Sequence, residues 1–319
     1  MVDRTVLVTG VGGNVGQGIL RNIRSLDMPI KLIGTNTVAF TAGNHFCDEV
    51  FTVKPAYEQG YLEQMAAIVK RAKVDLIIPS TDYEVFHLSK GRASLGCQVA
   101  VSGSQAASVY LDKYKSFQHH LTHGIPFAQS VLPSEYKGQF NRCIAKPREG
   151  RGSRGLVIDP VDFSVFDDSA YVIQEFHAGC EITTAFYVTQ NAQLHGFITM
   201  SRKLDHGTTM ECEVVTAYDD ILLPMLQKMV NSLDIRGGAN LQSIVLEDGR
   251  IVPFEVNCRI SGTNSIRSQF GFSDVLYTLQ EYLYSTKPDR PDIRAGRAVR
   301  VLMDIIYPDK NDTKNSYIF

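Results

Sequence analysis

Hydrophobic positions in the first hundred residues fall into strand-sized blocks separated by helix-sized ones. VLVTG, KLIGTN, Val74–Pro79 and Gln98–Val101 are short apolar runs, and helix-like stretches lie between them, the clearest being Tyr61–Lys73. Strands alternating with helices at this spacing predict a parallel, doubly wound sheet. From Asp112 the pattern changes. A helix with Phe117 and Leu121 four residues apart is stopped by Gly124 and Pro126, and β-prone runs dominate thereafter. Two domains are expected, the first a doubly wound sheet over residues 1–107 and the second α+β over 108–319.

The best-marked hairpin is GGANLQSIVLEDGRIVPFEVNCRIS, from Gly237 to Ser261. Asp248-Gly249 between two β-prone runs predicts a two-residue turn. With those residues at the turn, Leu246 pairs with Ile251, Ser243 with Phe254, Gln242 with Glu255 and Asn240 with Asn257. Opposed residues share a face. Leu241, Ser243, Val245, Val252, Phe254 and Val256 are therefore expected in the core. The other face carries Ile244, Leu246 and Ile251 near the turn, and Asn240, Gln242, Glu255 and Asn257 at the open end. Carboxylate and amide oxygens of this kind suit Mg²⁺, which completes its shell with waters and substrate phosphates. Arg259, two residues on, suits phosphate oxygens.

The 319 residues suffice for a large core, with 44 % hydrophobic and 21 % charged residues as in ordinary globular proteins. A formal charge of −2 gives no basic footprint for nucleic acid, and the apolar runs are strand-sized, so no membrane span is expected. MVDRTVLVTG enters a strand at once without a signal-peptide pattern. Six cysteines without a CxxC pair read as free thiols. The cytoplasm is the expected compartment.

Two glycine-rich turns carry candidate chemistry. Gly10, Gly12, Gly13, Gly16 and Gly18 follow the first strand and resemble a dinucleotide fingerprint. A nicotinamide reading wants an acidic residue at the end of the second strand, yet KLIGTN ends on Thr35 and Asn36. Asn14 and Asp82, at the C-terminal ends of strands, are candidate substrate residues because ligands of open sheets gather there. The second turn, RCIAKPREGRGSRGLVI, ends a strand in Lys146-Pro147 and passes into a loop with Gly150, Gly152, Ser153 and Gly155. Glycines let backbone N–H groups close around phosphate oxygens while Lys146 supplies a point charge. No GxxxxGK[ST] occurs, so this is not a Walker loop. His119, His120 and His123 lack a carboxylate or cysteine to complete a metal set and read as surface histidines.

Gln242, Glu255, Asn257 and Arg259, spaced Q-x(12)-E-x-N-x-R, resemble the metal and phosphate site of the ATP-grasp superfamily, in particular its carbamoyl-phosphate-synthetase-like branch. Cys258 stands where the family usually has proline. DLIIPSTDYEVFHL, from Asp75 to Leu88, is similar to the same branch. D-K-x(10)-G-I-P, beginning at Asp112, resembles the entry to the nucleotide region and implies that Lys113 approaches phosphate. Lys146 with its glycine loop is similar to the family's lid. YVIQEFHAGCEITTAFYV is similar to its hinge, which implies Gln174, Glu175 and Phe176 at the adenine edge and Glu181 at the ribose. A looser likeness makes Arg202 and Lys203 substrate candidates. Arg267 either grips an anionic substrate or pairs with an acidic neighbour.

The resemblance implies an N-terminal Rossmann-like, pre-ATP-grasp domain followed by an α+β ATP-grasp module, with a lid over about 112–173 and a C-terminal subdomain over about 174–308. It implies ATP and Mg²⁺ (or Mn²⁺) as cofactors, with Gln242, Glu255 and Asn257 as metal ligands. Lys146 and Arg259 would be catalytic. The implied reaction activates a carboxylate as an acyl phosphate, which an amine then attacks. Small-molecule carboxylates and amines are the expected partners, and a homodimer is left open. The competing readings are an NAD(P)-dependent oxidoreductase and a non-catalytic nucleotide-binding protein.

Overall fold

The computed structural model describes residues 4–150, 152, 154–309 and 315–319. Its first hundred residues build five parallel strands: β1 (Arg4–Val8), β2 (Ile30–Asn36), β3 (Glu49–Thr52), β4 (Leu76–Ile78) and β5 (Gln98–Val99), in the order β3-β2-β1-β4-β5. Val6, Leu7, Val8, Leu32, Ile33, Leu76 and Ile77 are wholly buried, as expected where helices cover both faces of a parallel sheet. Helices α1 (Asn14–Arg24), α2 (Tyr61–Ala72) and α3 (Asp82–Gly91) supply the cover. The doubly wound sheet predicted from the apolar blocks is therefore present.

Helices α4 (Ser104–Leu111) and α5 (Lys113–Thr122) lead out of this sheet. Strands β6 (Ser130–Val131), β7 (Cys143–Pro147), β8 (Val157–Ile158) and β9 (Tyr171–Glu175) then form a small sheet in the order β6-β9-β7-β8. The largest sheet is antiparallel. It contains β10 (Cys180–Val188), β11 (Leu194–Asp205), β12 (Thr208–Val214), β13 (Gly237–Val245), β14 (Ile251–Asn257) and β15 (Arg297–Val299), ordered β14-β13-β10-β11-β12-β15. Helix α6 (Asp219–Ser232) sits between β12 and β13 in sequence, and α7 (Asn264–Arg267) and α8 (Asp274–Thr278) follow β14. The last strands, β16 (Ile305–Ile306) and β17 (Tyr317–Ile318), pair with each other. One apolar cluster joins Leu7, Ile33 and Ile77 of the parallel sheet, through Ala106 and Tyr110, to Ile182, Phe186 and Leu241 of the antiparallel one. Among the described residues no helix is long and apolar enough to cross a membrane.

The β13–β14 hairpin corrects the sequence reading in one respect. Asn240 pairs with Asn257 and Gln242 with Glu255 as expected, but Ser243 pairs with Pro253 and Val245 with Ile251. The turn is one residue longer than predicted. Leu246 N–H bonds to Arg250 O at 2.9 Å, with Gly249 in the left-handed region at φ +82°, the geometry of a three-residue loop. A bulge at Phe254 then absorbs the extra residue. A one-residue slip turns side chains to the other face. Near the turn, Ile251 is therefore buried in the core while Val252 and Phe254 line the cleft. Beyond the bulge the predicted faces return.

Candidate active site

A cleft between the small sheet and the antiparallel sheet brings together Lys113, Lys146, Gly150, Gly152, Gln174, Glu175, Phe176, Glu181, Gln242 and Glu255. A narrower recess continues from it. Asp82 and Asn257 line this recess, with Lys113, Gly150 and Glu255 shared between the two. Residues far apart in sequence and drawn from five strands, two helix starts and the glycine loop thus face one space.

Lys113 is placed by its neighbour. Asp112 caps α5, accepting from Tyr114 N–H at 2.9 Å and Lys115 N–H at 3.3 Å. The same carboxylate takes the Arg148 guanidinium at 2.6 Å, and Lys113 N–H bonds to Arg148 O at 2.9 Å. This clamp fastens the helix start to the glycine loop. Sequence reasoning missed Arg148, which lies 36 residues from Asp112.

Lys146 ends β7, 7 % exposed, with Nζ donating to Gln174 Oε1 at 2.6 Å and lying 4.7 Å from the centre of the Phe254 ring. Burial pushes its ammonium down to about 8, with Glu255 and Glu181 opposing the fall and Lys113 adding to it. Gln174 also donates to Ser130 Oγ at 3.1 Å, so its side chain is committed to Lys146 and Ser130. Phe176 lies under the Arg142 guanidinium at 4.4 Å. Arg154 and His177 also line the cleft and were not anticipated; neither carries a sequence pattern that marks it.

The low pKa of Lys146 has a measurable consequence. Where Lys146 meets nucleotide phosphate, the phosphate favours its charged form, so ADP affinity should fall above about pH 8, by up to about tenfold per pH unit. Lys146→Ala should lower affinity at neutral pH and remove the inflection. A calorimetric pH series with the same profile in both proteins would detach Lys146 from the phosphates.

At the other end of the cleft stand the acid and the amides. Gln242 Nε2 donates to Asn257 Oδ1 at 3.1 Å, and Asn257 Nδ2 donates to Glu255 Oε1 at 3.2 Å. Burial pushes the Glu255 carboxyl up, but Lys113, Lys146, the Asn257 amide and Arg259 outweigh it and hold the group below the usual carboxylate range. Among the described residues no three His, Cys, Asp or Glu side chains gather as a metal centre. One ionised carboxylate and two amide oxygens fit a hard cation that draws the rest of its shell from water and phosphate, and do not fit a zinc site. Cys258 is buried with its thiol pushed up to about 12 by burial. Arg259 holds its pose through Asp82, 2.9 Å from Nη2.

Glu181 does not face the cleft alone. Arg202 Nε donates to it at 3.0 Å, and Nη2 donates to both Glu181 and Gln242 Oε1. Arg202 is thus inside the site, whereas Lys203 points away and pairs with Glu211 at 2.9 Å, 77 % exposed. Successive strand residues face opposite ways, and only one of the two can enter. Arg267 is wholly buried in an ion pair with Asp274, outside the cleft. Of its two sequence readings, the structure takes pairing with an acidic neighbour. Asn14 is exposed at the start of α1 beside Gly262, apart from the cleft. Ser153 lies outside the described residues.

The N-terminal glycine turn is filled by the protein itself. Gly10 has φ +58° and packs against Ser80 and the Glu84 carboxylate, and a Cβ on Gly18 would meet Asn264 Oδ1 at 2.4 Å. Glu84 Oε2 accepts from Thr9 and Thr81 at 2.7 and 2.8 Å. A carboxylate beside the turn opposes a pyrophosphate there, and close packing accounts for Gly10, Gly12, Gly16 and Gly18.

Residues 110–263 match the ATP-grasp domain family. No curated protein sequence matches the chain. Among solved structures, the chain is similar to N5-carboxyaminoimidazole synthetase from Staphylococcus aureus complexed with ADP, at TM-score 0.77 and 14 % identity over 94 % of this chain and 82 % of that one. It is similar to the biotin carboxylase domain dimer of Hydrogenobacter thermophilus 2-oxoglutarate carboxylase in complex with MgADP, ADP and bicarbonate, at TM-score 0.73 and 14 % identity over 92 % and 73 % of the two chains. It is also similar to L-amino acid ligase from Bacillus licheniformis, at TM-score 0.71 and 14 % identity over 92 % and 77 %.

Proposed function

We propose, on the match of residues 110–263 to the ATP-grasp domain family, that the chain is a Mg·ATP-dependent ligase of the carboxylate–amine type. A substrate carboxylate oxygen attacks the terminal phosphorus of ATP, the bond to the bridging oxygen breaks, and ADP leaves. An amine then attacks the acyl phosphate carbon and displaces phosphate. The observation that carries this reading is the convergence of Lys113 and Lys146 on the ionised Glu255 in one cleft beside a glycine loop. The similar structures support it, one being an amino acid ligase and another bound to MgADP and bicarbonate.

In this reading Lys113, Lys146 and the backbone around Gly150 and Gly152 bind the phosphates. Gln174, Glu175 and Phe176 meet the adenine edge, and Glu181 exchanges Arg202 for the ribose hydroxyls. Gln242, Glu255 and Asn257 would hold Mg²⁺, which when bound neutralises phosphate charge. Arg259 steadies the negative charge on the phosphoryl group in flight. Positioning and charge neutralisation suffice for such a transfer, with no covalent nucleophile.

Turnover should require a carboxylate (or bicarbonate) and release ADP and phosphate, with hydroxylamine trapping the intermediate as a hydroxamate. Amino acids are the first acids to screen by ADP release. AMP as product would defeat the ligase reading. A melting shift with NADH and none with Mg·ADP would favour the oxidoreductase instead; a saturating Mg·ADP ligand is expected to add about 2.7 kcal/mol at 100 times its Kd.

A further inference from the structure

Asp82 belongs to neither sheet that builds the cleft. It is the first residue of α3, just past the C-terminal end of β4 in the parallel sheet, with Thr81 capping the helix. Its side chain crosses to the end of β14, 15 % exposed, and does two things there. Oδ2 accepts from Arg259 Nε at 3.0 Å and Nη2 at 2.9 Å, and Oδ1 accepts from Asn257 Nδ2 at 3.3 Å.

The second bond settles an orientation. An asparagine amide has a donor side and an acceptor side. Asn257 Nδ2 lies between two carboxylates, Asp82 at 3.3 Å and Glu255 at 3.2 Å, while Oδ1 faces Gln242. Two acids around one nitrogen make the flipped amide unfavourable, because its oxygen would then face both. The carbonyl oxygen is thereby held on the side of Gln242. Arg259 meanwhile is held by one carboxylate through two nitrogens, which fixes its plane as well as its place.

We infer that Asp82 is the positioning residue for Arg259 and Asn257, setting from the N-terminal sheet the geometry on which metal-dependent nucleotide binding rests. The inference depends on the ligase reading for what that geometry is used for. Asp82 does not touch the nucleotide phosphates in this scheme; it acts through the two residues it holds. A substrate-gripping role, suggested by its place at a strand end, is disfavoured because both carboxylate oxygens already have partners within the protein.

The test is calorimetric binding of ADP with and without Mg²⁺ to the wild type and Asp82→Asn. Metal-free affinity should stay within twofold, while the gain in affinity that Mg²⁺ confers on the wild type falls at least fivefold. In turnover, kcat should drop at least tenfold, with KM for Mg·ATP raised by about the factor lost from the Mg²⁺ gain. An unchanged Mg²⁺ gain in Asp82→Asn would overturn the inference and leave the ligase reading intact. Absence of any Mg²⁺ gain in the wild type would overturn both. If Asp82→Asn folds poorly, Asp82→Ala made in an Arg259→Ala/Asn257→Ala background removes the carboxylate together with both residues it positions. There the further loss of kcat should be under threefold, and a full independent loss would likewise overturn the inference.

Discussion

Glu255→Gln should lower Mg²⁺-dependent ATP turnover about a hundredfold, the order found when a group that stabilises charge in the transition state is lost, while the melting temperature moves by only a few degrees. The substitution keeps the volume and one acceptor oxygen, so the bond from Asn257 survives. It removes the one full negative charge among Gln242, Glu255 and Asn257, the three residues proposed to face the metal. Metal-free ADP should bind no more weakly than before, because a carboxylate near the phosphates repels them and its loss leaves Lys113 and Lys146 free to pair with phosphate instead. The sign of that binding change separates two roles. A metal ligand gives lost turnover with retained metal-free binding, whereas a residue that only holds the two lysines in place gives a fall in both. Retained turnover with a large fall in melting temperature would make Glu255 structural.

Much of this site was readable before any coordinate. Gln242 opposite Glu255 followed from strand alternation and a turn signal, and Tyr61–Lys73 was read almost as the helix α2 observed. What escaped had particular causes. Asp-Gly serves both a two-residue turn and a three-residue loop with glycine in the left-handed region, so the sequence could not exclude the longer loop or the compensating bulge at Phe254. That bulge places Phe254 and Glu255 together in the cleft and puts a ring beside Lys146. Arg202 and Lys203 are chemically alike on paper, and only the pleat of β11 decides which enters. The ion pairs of Asp112 with Arg148 and of Asp82 with Arg259 join residues 36 and 177 positions apart, and no local pattern encodes them. The Rossmann-like glycines bear two readings in sequence, since close packing of Asn264 on Gly18 demands glycine as firmly as a phosphate does.

Arg267→Met should destabilise the protein by about 3–5 kcal/mol, the usual result of leaving half of a buried ion pair, which corresponds to a fall of roughly 10 °C in melting temperature. Arg267 and Asp274 are 0 % and 1 % exposed. The guanidinium also donates to Ser261 Oγ at 2.9 Å and Thr263 Oγ1 at 2.8 Å, so it ties α7 and α8 to the end of the segment that carries Arg259. Without it the Asp274 carboxylate is stranded in a site closed to water. Neutralising that partner should therefore recover much of the loss, and Arg267→Met/Asp274→Asn is expected to melt several degrees above the single variant. Mg·ADP affinity, measured below the lowered melting point, should be unaltered in both. The opposite pattern, with melting temperature unchanged and carboxylate-dependent turnover abolished, would return Arg267 to the substrate. The burial of both partners argues against it, because Nη1 and Nη2 are engaged by Ser261, Thr263 and Asp274 and the side chain does not line the cleft.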